Sequence, residues 1–189
     1  MIGVMNRGIT YGFIGTAISF LAMLGICVAI HPEVFHYYGY GISEFGAIHS
    51  TLIPFFCGFA ATVIFLIVIA LKLRQTNKIL SAVFLLAALC LAGIAITSYP
   101  FNRLTYDLHW CFVSLLALVI VSGIVWRLRR GQVSLVDYVL ALVFIATTII
   151  SILPIVRDIP IFRDFILREL ICFVSSFWFL YRATLSAQV

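Results

Sequence analysis

The sequence predicts an all-α integral membrane protein, with six transmembrane helices arranged as three hairpins and both termini cytoplasmic. Three observations predict it. Hydrophobic residues make up 64% of the chain and charged residues 10%, against about half and about a quarter in a soluble domain. Six apolar runs have about the length needed to cross a bilayer, roughly 20 residues each. The connections between them alternate in charge character, as the positive-inside rule requires. Residues 1–189 therefore read as a single six-helix domain.

The first run, 9–30, follows Arg7 and imitates a signal peptide. It is long for a signal core and no A-x-A site follows, so it reads as a retained helix. Leu24-Gly25-Ile26-Cys27 resembles a lipobox, but Ile26 is too large for the position before the cysteine. Gly8, Gly12 and Thr16, with Gly15 and Ser19 beside them, form a small-residue face. Such a face lets helices approach closely, either inside the bundle or against another subunit.

The second run, 49–71, carries Pro54 and Gly58, the one plausible mid-span break. The remaining runs are 79–99, 108–126, 135–153 and 165–182. The links 72–78 and 127–132 are short and basic. With Arg7 and Arg182 they gather Lys72, Arg74, Lys78, Arg127, Arg129 and Arg130 on one side. That side is assigned to the cytoplasm. The net charge of +5 is thus a topology signal and does not point to nucleic acid. Cys27, Cys57, Cys90, Cys111 and Cys172 all fall within runs, without C-x-x-C spacing. They read as small packing residues and not as a disulfide or zinc framework.

The other side collects His31, His36, His49 and His109, together with Glu33, Glu44, Asp107, Asp158, Asp164 and Glu169. Asp137 alone among the carboxylates falls on the basic side. Aromatic residues such as Tyr37, Tyr99, Tyr106 and Trp110 cluster at this second boundary as an interfacial belt. A pattern recurs in the three hairpins. Pro32, Pro100 and Pro154 end outward helices; Glu44, Asp107 and Asp164 precede returning ones. His49, His109 and Arg168-Glu169 open the returning helices. The pattern suggests three hairpins of one design, but proline and acids also mark ordinary helix ends, and that local explanation is the stronger of the two.

Ionisable groups at the first turn of a span usually face a polar cavity or the interface. Glu44, His49, Asp107, His109, Arg168 and Glu169 are therefore expected to line an outward pocket, with Ser98, Asn102 and Ser151 nearby. The pocket would bind a lipid headgroup, a small ligand or a partner protein. Arg103, Arg157 and Arg163 suit an anionic headgroup, because guanidinium offers paired planar donors. One alternative is a metal-dependent intramembrane hydrolase, with His49, His109 and Asp107 or Glu44 holding zinc. No H-E-x-x-H or H-x-x-x-H spacing supports it, and no metal or other cofactor is favoured. Another alternative is a small transporter or channel subunit, although mid-span charge is missing. Haem is disfavoured, since all histidines lie at one membrane edge. Serine hydrolysis lacks a G-x-S-x-G elbow, although Ser43 and Ser50 flank His49. His31, Glu33 and His36 read as interfacial residues of the first loop.

Ile42-Ser43-Glu44-Phe45-Gly46 resembles the I-S-[DE]-x-G stretch of the DRAM/Sfk-type six-helix membrane proteins and of related uncharacterised prokaryotic membrane families. Tyr99-Pro100 followed by Asp107 and His109 is similar to their proline–acid–histidine segment. The resemblance covers roughly residues 9–126 and implies six helices, cytoplasmic termini and a polar outer mouth, with no established catalytic activity. The third hairpin departs from it, with Arg168-Glu169 where a repeat would put histidine. A more distant likeness is to the membrane hydrolases that include alkaline ceramidases, which have seven spans and an H-x-x-x-H pair missing here. The expected setting is a prokaryotic plasma membrane. The expected partners are membrane lipids and either a second copy of the chain or another membrane protein, with no nucleic acid.

Overall fold

The computed structural model describes residues 2–36, 41–98, 102–130, 133–152 and 165–186, excluding the side chains of 2–6, 35, 36, 152 and 165. These residues are all-α. Helices α1 (Ile2–Ile30), α2 (Pro32–His36), α3 (Leu52–Leu73), α4 (Lys78–Thr97), α5 (Arg103–Arg129), α6 (Leu135–Ile152) and α7 (Phe165–Ser186) follow in order. A 3-10 turn, Ile42–Gly46, lies between α2 and α3. Four helices are long and apolar enough to cross a membrane: α1 from Arg7, α3, α4 and α5. The stretch Leu135–Ser151 of α6 is apolar but shorter. Helix α7 has the length, 22 residues, and carries Arg168, Glu169 and Arg182.

Local chemistry fixes several boundaries. Asn77 caps α4 by accepting from the Leu80 amide at 3.0 Å. Asn102 and Thr105 form a reciprocal capping box at the start of α5. The helix thus begins at Arg103, five residues before the expected start, and Asn102 serves its own backbone. At the start of α6, Asp137 accepts from the Ser134 amide and hydroxyl, and the Ser134 hydroxyl accepts from the Asp137 amide. Pro32 takes the first position of α2, where a missing amide proton costs nothing. The prolines of the other two hairpins, Pro100 and Pro154, lie outside the described residues.

Helices α1, α3, α4 and α5 pack serially, and α6 pairs with α7. The small-residue face of α1 turns inward, onto α3. A Cβ on Gly12 would meet Ile69 Cγ1 at 2.6 Å, and one on Gly15 would meet the Phe65 ring at 2.5 Å. Gly58 of α3 returns the contact, with Met23 Cβ 2.2 Å from a notional Cβ. Helix α7 closes the bundle on α1 through aromatic rings. Phe13 meets Phe177 and Tyr181 at centroid distances of 5.0 and 4.9 Å, and Phe20 stacks on Phe173 at 3.9 Å.

The core has two layers. One gathers Phe13, Ile69, Leu80, Phe84, Ile124 and Phe179. The other gathers Phe20, Met23, Phe45, Phe55, Phe59 and Ile166. Outside them Ile53, Leu118 and Leu135 are exposed, as expected of side chains that meet lipid tails instead of water.

Candidate functional site

One end of the bundle is made by the end of α1, α2, the 3-10 turn, the end of α4 and the starts of α3, α5 and α7. The opposite end carries Arg74, Lys78, Arg127, Arg129, Arg130 and Arg182. At that basic end buried Asp137 receives the Arg182 Nε hydrogen bond at 2.6 Å. Arg182 also donates to the Ser134 hydroxyl, and Arg127 to the Ser186 hydroxyl, each at 2.7 Å. These bonds tie α5, α6 and α7 together. A shallow groove of about 550 Å³ runs along α5 at the same end, from Leu118 to Trp126 and Arg130.

The expected pocket residues fall into separate groups at the first end. Glu169 of α7 accepts from the Ile42 amide at 2.5 Å and so holds the 3-10 turn against the bundle. Glu44 lies on that turn, and its charge weighs on Glu169 less than the neighbouring Arg168 guanidinium does. Both carboxylates are partly buried. Burial pushes the Glu44 carboxyl above its ordinary 4.5, because the charged form loses hydration. Neighbouring Arg168 is buried and reaches across to α6, donating to the Ile150 carbonyl at 3.5 Å.

His109 is buried against α4. Its Nδ1 lies 3.3 Å from the Thr97 hydroxyl. That hydroxyl already donates to the Gly93 carbonyl at 2.7 Å, so Nδ1 is the donor in the His109 bond. Asp107 is exposed. Residues two apart on a helix face different directions, so Asp107 and His109 cannot converge from the same turn. His49 sits exposed in the turn before α3, which begins at Leu52 and not at the histidine. Ser98 and Ser151 bond their own helices, to Ile94 and Thr147, instead of lining a cavity. Among the described residues no three His, Cys, Asp or Glu side chains gather to hold a metal. That geometry leaves His49, His109 and Asp107 apart. Arg103 is exposed; Arg157 and Arg163, like Asp158 and Asp164, lie outside the described residues.

A different constellation assembles instead. His31 Nδ1 is hydrogen-bonded to the Glu33 carboxylate, and His31 Nε2 lies 2.5 Å from the Ser50 hydroxyl. The His31 bond holds the Glu33 carboxyl below its ordinary value. The backbone positions all three. The His31 amide continues α1 by donating to the Cys27 carbonyl at 3.0 Å, and the His31 carbonyl accepts from Val34 in α2. Ser50 is fixed by its neighbour, since the Thr51 hydroxyl donates to the Phe45 carbonyl at 2.6 Å. Sequence reasoning missed this grouping. The available signal was His31-Pro32-Glu33, where proline starts a new helix and turns the acid back toward the histidine. Ser50, 19 residues on, is brought in only by the return of the chain. Comparison with protein-family models, with curated proteins and with solved structures finds no match to this chain.

Proposed function

We propose that this chain is a six-crossing, multi-pass membrane protein that binds the polar headgroup of a lipid, or a small ligand of like chemistry, at its carboxylate-bearing end. The observation that carries the reading is the meeting of Glu44 and Glu169. They come from segments far apart in sequence and are partly buried; the Ile42 amide and the neighbouring Arg168 guanidinium offset the Glu169 charge, and Glu44 adds a second negative charge nearby. Two such carboxylates favour an ammonium group. Arg168 is already engaged with α6, and Arg103 points to the exposed surface. An amine-bearing headgroup thus fits better than the anionic one that the arginines alone would suggest. With the arginine-rich end in the cytoplasm, this site faces outward from a prokaryotic plasma membrane.

Native mass spectrometry of protein released from nanodiscs of mixed phosphatidylethanolamine and phosphatidylglycerol tests the reading. The ethanolamine lipid should be retained preferentially, and E44Q combined with E169Q should remove the preference. Competition by free phosphoethanolamine would identify a soluble ligand as the source of the same chemistry. Equal retention of both lipids by the unaltered protein, with no effect of phosphoethanolamine, would sink the proposal.

A further inference from the structure

We infer that Ser50, His31 and Glu33 form a hydrolytic triad acting on carboxylic esters of lipids or lipid-like amphiphiles. The inference does not rest on headgroup binding at Glu44 and Glu169. It rests on connectivity: a carboxylate on Nδ1 of a histidine whose Nε2 meets a serine hydroxyl at 2.5 Å. That is the arrangement by which a serine is activated, and it is recognised by geometry and not by chain order. The Glu33 carboxylate accepts the Nδ1 proton, which leaves Nε2 as the acceptor for the Ser50 hydroxyl.

The surroundings select the substrate. Ser50 is exposed and His31 is 28% exposed, so an acyl group can reach both. Ile26, Ile30 and Ile53 flank them on α1 and α3 with outward apolar faces. The triad stands at the ends of membrane-long helices, where an ester at the membrane interface would reach it. The amides of Leu52 and Ile53, two and three residues beyond Ser50, head α3. The N-cap Thr51 makes no side-chain bond to them, because its hydroxyl turns to Phe45 and Ile48. They are the donors available to a developing oxyanion.

The chemistry balances without a metal or redox partner. Ser50 Oγ attacks the ester carbonyl carbon while His31 Nε2 takes the hydroxyl proton. The tetrahedral adduct collapses, the C–O bond to the alcohol breaks, and His31 returns the proton to the leaving oxygen. Water then attacks the Ser50 acyl ester, giving its proton to His31. The carbon–Oγ bond breaks, and that proton restores the serine. One ester and one water yield one acid and one alcohol. Ser50 and His31 are catalytic residues; Glu33 is a positioning residue acting through His31.

The test uses the full chain in detergent micelles, a fluorophosphonate probe, and p-nitrophenyl butyrate. Peptide mass spectrometry should place one phosphonyl adduct on Ser50, and ester turnover should begin with a burst of one p-nitrophenol per chain. S50A should lose both. H31Q should slow both by about 10⁴-fold or more. E33Q should also slow both, with E33D restoring most of the rate, a rescue that a merely structural acid would not show. The adduct on unaltered protein decides the matter even where a variant misfolds. No adduct on Ser50, or an H31Q protein labelled at the unaltered rate, overturns the inference.

Discussion

Glu44 shows how a residue's chemistry depends on a neighbour that sequence spacing hides. The spacing places it five residues before His49, yet the turn that carries it is tied to Glu169 of α7 through the Ile42 amide. Burial raises its carboxyl above 4.5. A group whose folded pKa is raised stabilises the fold fully below its unfolded value. That contribution fades as pH rises through the folded value. Melting temperature in detergent should therefore fall from pH 4 toward neutrality by a component that E44Q removes. E44Q should melt higher than the unaltered protein at pH 7.5 and no higher at pH 4. An E44Q curve parallel to that of the unaltered protein across this range would refute the assignment. Among the described residues, His31, His49, His109, Glu33, Glu44, Asp107 and Glu169 stand at one end, as the positions of the apolar runs imply. Their pairing is not legible in the sequence, because His31 with Ser50 and Ile42 with Glu169 are made by chain return and not by local spacing.

At the scale of elements, the small-residue face of α1 was legible from four-residue spacing, and the structure settles what it packs against. Gly12 and Gly58 let α1 and α3 approach so closely that a Cβ would meet Ile69 Cγ1 or Met23 Cβ, neither of them a flexible side-chain end. G58A should cost about 1–3 kcal/mol, as overpacking usually does. Gly25, on the same α1 but with nothing within 4 Å of its notional Cβ, supplies the contrast. G25A should be neutral or stabilising by up to about 1 kcal/mol, the helix-propensity difference. Unfolding in mixed micelles, followed by circular dichroism, measures both. Equal effects at the two sites would mean that propensity, and not the α1–α3 contact, governs stability. The short elements escaped the sequence because five residues carry no periodicity. The early start of α5 is written in Asn102-x-x-Thr105, a capping signal whose polar side chains serve the helix backbone and not a cavity.

Across the whole molecule, the last two helices decide the number of membrane crossings. Length and apolarity alone mark α1, α3, α4 and α5 as able to cross a membrane, yet α7 runs the full height of the same bundle. Near its start Glu169 holds Ile42, and at its far end Ser186 receives Arg127. Helix α6 runs antiparallel beside it, with Asp137 bonded to Arg182 at one end and Ile150 to Arg168 at the other. Each charge in α7 therefore sits near an end of the bundle, where a crossing helix can carry one, and none lies mid-span. At a rise of about 1.5 Å per residue, α6 is about 27 Å long and α7 about 33 Å, close to the hydrocarbon thickness of about 30 Å. The C-terminus cannot distinguish six crossings from four, because a hairpin that dips and returns ends on the same side. The connection between α6 and α7 can. In a cysteine-free background, R74C and R130C should react with a membrane-impermeant maleimide only in inside-out vesicles. T105C and R157C should react only in right-side-out cells. If R157C reacts from the same side as R74C, α6 and α7 do not cross, and the protein has four spans with a re-entrant pair.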